Sequence, residues 1–146
     1  GTSILIHTEQ GYDPWKLLQF FVARGIPPKK LIFCHMDRTV QEQEIHRRIL
    51  EAGAFLCYDS IHRLKYISEE NELMLIQDML ECGFEDQLLL SLDTTNQRLR
   101  AYGADMGLDY ICKTFIPLLK QRGIKEEAIE KMTGGNAQRA LGKTYW

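Results

Sequence analysis

The sequence predicts an α/β chain with a parallel sheet, and two observations carry that prediction. Four apolar runs, residues 3–7, 31–35, 54–59 and 88–93, are too short for helices and stop in a His or an Asp. Between them lie stretches of helical periodicity closed by glycine, so strand, loop, helix, glycine recurs four times.

The first run, Ser3-Ile-Leu-Ile-His7, follows Gly1 and Thr2 with no helix or cap before it. Asp13-Pro14 then supplies an N-cap and a proline at the first helical position. Trp15, Leu18, Phe21 and Val22 follow at helical spacing, with Trp15 read as core packing, and Arg24-Gly25 closes the helix. Pro27-Pro28-Lys29-Lys30 makes a polar turn into the second strand, which ends in His35, Asp37 and Arg38. A helix over 41–52 puts Ile45, Ile49 and Leu50 on its apolar side. His46, among Glu44, Arg47 and Arg48, is expected to face solvent.

Gly53 leads directly into the third strand, which ends at Asp59. After the loop 60–66, Ser68-Glu69-Glu70 caps a helix to Cys82 carrying Leu73, Ile76, Met79 and Leu80. The fourth strand ends at Asp93. A long polar loop, 94–107, holds Arg98, Arg100, Tyr102 and Asp105. The next helix, 108–122, sets Ile111, Cys112, Phe115 and Leu119 on one side and is expected to kink at Pro117. Two short helices, 126–132 and 137–142, close the chain. Gly134-Gly135 lacks a preceding strand and reads as a turn between them, not as a phosphate loop. Trp146 carries no reading.

Counting back by twos from each strand's last residue puts Leu5, Phe33, Cys57 and Ser91 on the rim side, with Ile6, Cys34, Tyr58 and Leu92 toward the helices. Mixed sizes on the inner side suit a barrel interior. A closed (β/α)8 barrel takes about 250 residues, whereas this chain has 146 and four units. It therefore reads as one domain, residues 1–146, forming the second half of a (β/α)8 TIM barrel with short C-terminal helices.

A net charge of −2 gives no field for nucleic acid or anionic lipid, and no apolar run reaches membrane-spanning length. Neither is expected as a partner. Cys34, Cys57, Cys82 and Cys112 form no Cys-x-x-Cys pair and read as buried reduced thiols, which predicts a cytoplasmic protein.

Strand ends are where α/β sheets place their ligands. Here they aim His7, His35, Asp59 and Asp93 at one rim. Neutral imidazole and carboxylate suit Zn²⁺, Mn²⁺ or Co²⁺. Such an ion lowers the pKa of bound water, and a carboxylate such as Asp93 can carry the proton away. His62, close to the rim, is not read as a ligand.

His-Thr-Glu-Gln-Gly at 7–11, Cys-His-Met-Asp-Arg at 34–38, Tyr-Asp-Ser-Ile-His-Arg-Leu-Lys-Tyr at 58–66 and Leu-Ser-Leu-Asp at 90–93 resemble the phosphotriesterase family of the amidohydrolase superfamily. The stretch 115–123 and Asn136-Ala-Gln-Arg-Ala-Leu141 resemble that family's C-terminal end. The resemblance covers essentially the whole chain and implies strands five to eight of a metallohydrolase barrel. It implies that His7 and His35 bind the more exposed ion of a two-metal centre. Asp93 would ligate the other ion and take the proton from the bridging hydroxide. The family's His-x-His pair and carboxylated lysine have no counterpart in this sequence, so three of six expected protein ligands are present.

Arg63, Lys65 and Tyr66 resemble the motif of family members that open phosphorylated sugar lactones, where the Arg and Tyr grip the phosphate. Arg38 would add a third donor or pair with Asp37. The expected function is metal-dependent hydrolysis of an ester or lactone. The competing reading is a non-catalytic half-barrel that binds a metal or phosphosugar, or self-assembles. Open strand edges and an uncovered inner face predict a homo-oligomer or a need for the missing half.

Overall fold

The computed structural model describes residues 2–8 and 13–142. Residues 9–11 of the first motif, together with Gly1 and Trp146, lie outside the described residues. Strands β1 (Ile4–His7), β2 (Leu31–Cys34), β3 (Phe55–Tyr58) and β4 (Leu88–Leu90) form one sheet in the order β1-β2-β3-β4, every neighbouring pair parallel. Helices α1 (Pro14–Val22), α2 (Gln43–Glu51) and α3 (Glu69–Glu81) make the connections. After β4 come two single 3₁₀ turns, then α4 (Ile116–Gln121), α5 (Glu126–Glu130) and α6 (Asn136–Leu141).

The predicted caps form. Asp13 accepts the backbone N–H of Lys16 with Pro14 in the first turn, and Ser68 accepts that of Asn71. Gly53, at φ +90°, turns the chain from α2 into β3 within the three residues 52–54. The segment 41–52 is helical later than expected. A 3₁₀ stretch, Met36–Glu42, leads into it and holds the motif after β2 against the sheet.

Alternate strand residues feed two apolar layers. Ile6, Leu31, Phe33, Leu56, Tyr58, Leu88, Leu90 and Leu92 pack beneath the helices with Leu50, Leu75, Ile76 and Met79. Ile32, Phe55, Cys57 and Leu89 face the other side, joined by Cys34. This reverses β2 relative to the expected pattern: Phe33 is in the helix layer and Cys34 is inside. His35 adopts left-handed backbone geometry, φ 62°, so counting back by twos from His35 crosses a break in the pleat.

Helix α6 closes the base of the inner face. Ala137 and Ala140 pack into the inner cluster, and Asn136 Nδ2 donates to the carbonyls of Glu85 (2.7 Å) and Leu88 (2.6 Å). Ser3 Oγ donates to the Ala140 carbonyl. The inner face is thus partly covered, while Leu5 remains 61% exposed.

Three further expectations are corrected and one is refined. His46 is buried, because α2 turns it inward onto Tyr58. Thr39 Oγ1 spends its proton on the Met36 carbonyl, so His46 Nε2–H donates to Thr39 (3.0 Å) and Nδ1 accepts from the Tyr58 hydroxyl (2.8 Å). Burial holds this imidazole down at about 4. Cys82 and Cys112 are exposed, the first at a helix end and the second on the outer side of its turn. Gly134-Gly135 do not break the helix. They lie in a π-turn, Lys131–Gly135, that runs α5 into α6. Pro117 acts as a helix breaker as expected, but through a π-turn at Ile111–Phe115 just before it, because it offers no N–H to the preceding turn.

Candidate metal and anion site at the strand ends

Each strand delivers one polar side chain past its C-terminal end. His7 ends β1, His35 follows β2, Asp59 follows β3, and Asp93 stands three residues beyond β4. His35 and Asp93 both have positive φ, 62° and 41°. These are costly conformations for residues with a Cβ, and they turn the two side chains across the top of the sheet.

His35 and His7 meet there. His35 Nε2 lies 2.8 Å from His7 Nδ1, with the rings edge to face. On the far side of the His35 ring, Nδ1 lies 2.6 Å from Asp59 Oδ1. Asp59 therefore fixes the tautomer: Nδ1–H donates to the carboxylate and Nε2 keeps its lone pair for an ion. Ligand atoms of His35, Asp59 and Asp93 lie within 4.8 Å of one another. Geometry alone would make that trio the cluster. Asp59, however, is committed to His35, with Oδ1 on the ring and Oδ2 on the backbone N at 3.3 Å. The ring nitrogens that could share one ion are therefore His7 Nδ1 and His35 Nε2, whereas Asp93 Oδ2 approaches the other nitrogen of His35, Nδ1, at 3.9 Å.

Asp93 is held from the opposite direction. Its Oδ2 accepts from Arg38 Nη2 (2.9 Å) and pairs with Arg63 Nη1 (2.8 Å). Arg38 Nε also donates to Ser60 Oγ, and its guanidinium lies 4.2 Å over the Tyr66 ring. Lys65 approaches that ring to 4.4 Å. The sequence-predicted residues Arg38, Arg63 and Tyr66 thus come together on one flank of Asp93.

Two residues escaped the sequence reading. The sequence sets Asp59 at the rim but gives it no particular role. Arg98 was seen only as part of a polar loop. Its guanidinium reaches the carbonyls of Leu92, Asp93 and Ile61, the last at 2.9 Å, stapling the loops after β3 and β4. No spacing signal in the sequence marks such a contact.

Behind the rim, Asp37 accepts the Ser60 N–H, and its carboxyl faces that of Glu72 from α3. Burial raises both carboxyls, Asp37 to about 7. A proton held between the two carboxyls would satisfy Asp37 Oδ1 and one of the two Glu72 oxygens, all three of which lack another partner.

These features define a class: a parallel βα half-barrel with a cluster of nitrogen and oxygen donors and an arginine-rich flank at the C-terminal strand ends. The chain belongs to the phosphotriesterase family, whose model matches residues 1–141. It is 29% identical to a phospho-furanose lactonase of Mycoplasmopsis synoviae (strain 53), with 97% of this chain and 42% of that protein aligned. It is 28% identical to the phosphotriesterase homology protein of Escherichia coli (strain K12), over 93% of this chain and 46% of the relative. A lactonase structure from Listeria monocytogenes superposes with TM-score 0.89 at 30% identity, covering 97% of this chain and 45% of that one. The chain spans less than half the length of the relatives it matches. Its sheet is half of a (β/α)8 barrel. No helix among the described residues is long and apolar enough to cross a membrane.

Proposed function

We propose that this rim serves a divalent-metal hydrolase that opens a lactone or ester, with a phosphorylated sugar lactone as the substrate class. The observation that carries the reading is the approach of His7 Nδ1 to His35 Nε2 at 2.8 Å, with Asp93 Oδ2 3.9 Å from His35 Nδ1. His7 and His35 hold one ion of a two-ion centre and Asp93 the other, with zinc, manganese or cobalt suited to these donors. The bound ions would lower the pKa of water and polarise the carbonyl.

The chain's own residues do the rest. Arg38 and Arg63 both bond Asp93 Oδ2, which leaves Oδ1 to accept the proton of the attacking water. Water adds to the carbonyl carbon, the ring C–O bond breaks, and the proton passes to the departing ring oxygen. Arg63, Tyr66 and Arg38 grip the substrate phosphate, for which forked guanidinium donors are suited. The lactonase names of two relatives support that substrate class.

A zinc titration by calorimetry tests the reading, with His35→Ala as control. Binding that disappears in the variant supports it. Binding that is equal in both, or absent from the unaltered chain, removes the rim from consideration as this chain's own metal site. Hydrolysis of a phosphorylated furanose lactone, compared with its unphosphorylated form, tests the substrate class.

A further inference from the structure

The inner face of the sheet carries two thiols that the rim chemistry does not use. The β2–β3 register sets Ile32 against Phe55 and Phe33 against Leu56, so the next pair is Cys34 with Cys57. Both lie with Ile32 and Phe55 in the inner cluster. Neighbouring strands run about 4.8 Å apart, inside the roughly 4.4–6.8 Å that Cα atoms of a disulfide span. The two side chains therefore stand at adjacent register positions on the same inner face. Cys34 is half-buried and Cys57 is buried, so a small oxidant meets Cys34 first and finds Cys57 behind it. Cys82 and Cys112 are exposed elsewhere, at the end of α3 and on the turn before α4.

We propose that Cys34 and Cys57 are a redox pair that hydroperoxide closes to a disulfide and cellular thiols reopen. In the first step the Cys34 sulfur attacks the peroxide, the O–O bond breaks, and Cys34 becomes a sulfenic acid as one alcohol or water leaves. The Cys57 sulfur then attacks the Cys34 sulfur, the S–O bond breaks, and water carries away the hydroxyl with the Cys57 proton. Two thiols are oxidised by two electrons and one peroxide is reduced. Reopening is the reverse exchange with two equivalents of an external thiol. Side chains on flat parallel strands must lean together to bridge, which stores strain and makes the bond easy to reduce. His35 follows Cys34 directly and Asp59 stands two residues after Cys57. Closing the bridge therefore pulls on the two strand ends that the His35–Asp59 contact joins.

The test is a peptide map of the unaltered protein. It is reduced, freed of reductant, treated with equimolar hydrogen peroxide, alkylated and digested for mass spectrometry. The expected result is a Cys34 peptide joined to a Cys57 peptide with the loss of two hydrogens. That link opens with dithiothreitol, while Cys82 and Cys112 are alkylated. In Cys34→Ser, Cys57 stays alkylatable after peroxide. Alkylation of both thiols in the treated unaltered protein overturns the proposal. So does a link through Cys82 or Cys112, or Cys34 sulfinic acid formed beside an intact Cys57 thiol. The map of the unaltered chain decides the matter even where the variant does not fold, and no outcome depends on metal binding or hydrolysis.

Discussion

The Asp59 carboxylate holds His35 at two points, its ring Nδ1 at 2.6 Å and its backbone N at 3.3 Å. One side chain thereby sets both the tautomer of the imidazole and the left-handed turn that carries it over the sheet. Asp59→Asn keeps the size and loses the carboxylate that accepts from the ring Nδ1–H. It should weaken zinc binding by roughly 10–100-fold, read by calorimetry, with the far-ultraviolet circular dichroism unchanged. Equal affinity would mean that His35 does not need its carboxylate.

Asp93 and the two arginines compete for a common charge. Arg38 and Arg63 are paired with Asp93, so in the metal-free chain an incoming phosphate must displace it. Asp93→Asn should therefore raise the affinity of the metal-free chain for inorganic phosphate severalfold, while removing a ligand for the ion. A phosphate titration of the two chains by calorimetry checks this. Unchanged or weaker phosphate binding in the variant would argue against an anion site on this flank.

The reversed face of β2 has a cost attached. Phe33 is fully buried in the helix layer and Leu5 is 61% exposed. Phe33→Ala should destabilise the fold by about 3–5 kcal/mol, and Leu5→Ala by no more than about 0.5 kcal/mol, in urea unfolding. Equal losses would put Phe33 back on the inner face.

The buried His46 makes stability depend on pH. Its folded pKa of about 4 lies below the ordinary 6.5. The unfolded chain therefore binds the proton more readily, and stability is full above pH 6.5. It is lost as pH falls toward 4, by about 3 kcal/mol. Asp37, raised to about 7, works the other way: its contribution is present at low pH and lost as pH rises through 7. Subtracting the urea-unfolding profile of His46→Gln from that of the unaltered chain isolates the histidine. The difference should grow from pH 4 to pH 6.5 and then level off. A flat difference would show that folding leaves the titration of His46 unchanged.

Much of this architecture is legible in the residues alone. Four apolar runs ending in His or Asp give the sheet and its rim, because a strand buried on both faces must be apolar until it reaches water. Asp13-Pro14 and Ser68 announce their helices through local hydrogen bonds that need no tertiary context. Two features are hidden, each for its own reason. Phe33 was put on the wrong face because a single left-handed residue, His35, breaks the period on which the counting rests. His46 was put in solvent because its charged neighbours on α2 mask a partner, Tyr58, supplied by another element. Arg98 is illegible in the same way: its partners are main-chain carbonyls, which every residue has.

Ser3 and Ala140 are joined by a hydrogen bond, and Asn136 anchors the same helix beneath β4. The element that closes the floor under the sheet is therefore made almost 140 residues after Ser3, the residue it ties down. During synthesis β1 can pair with β2 early, yet its floor is absent until α6 has left the ribosome. A nascent chain stopped short of Asn136 would display the inner apolar face of Ile32, Phe55 and Leu89 to whatever chaperone stands at the tunnel exit.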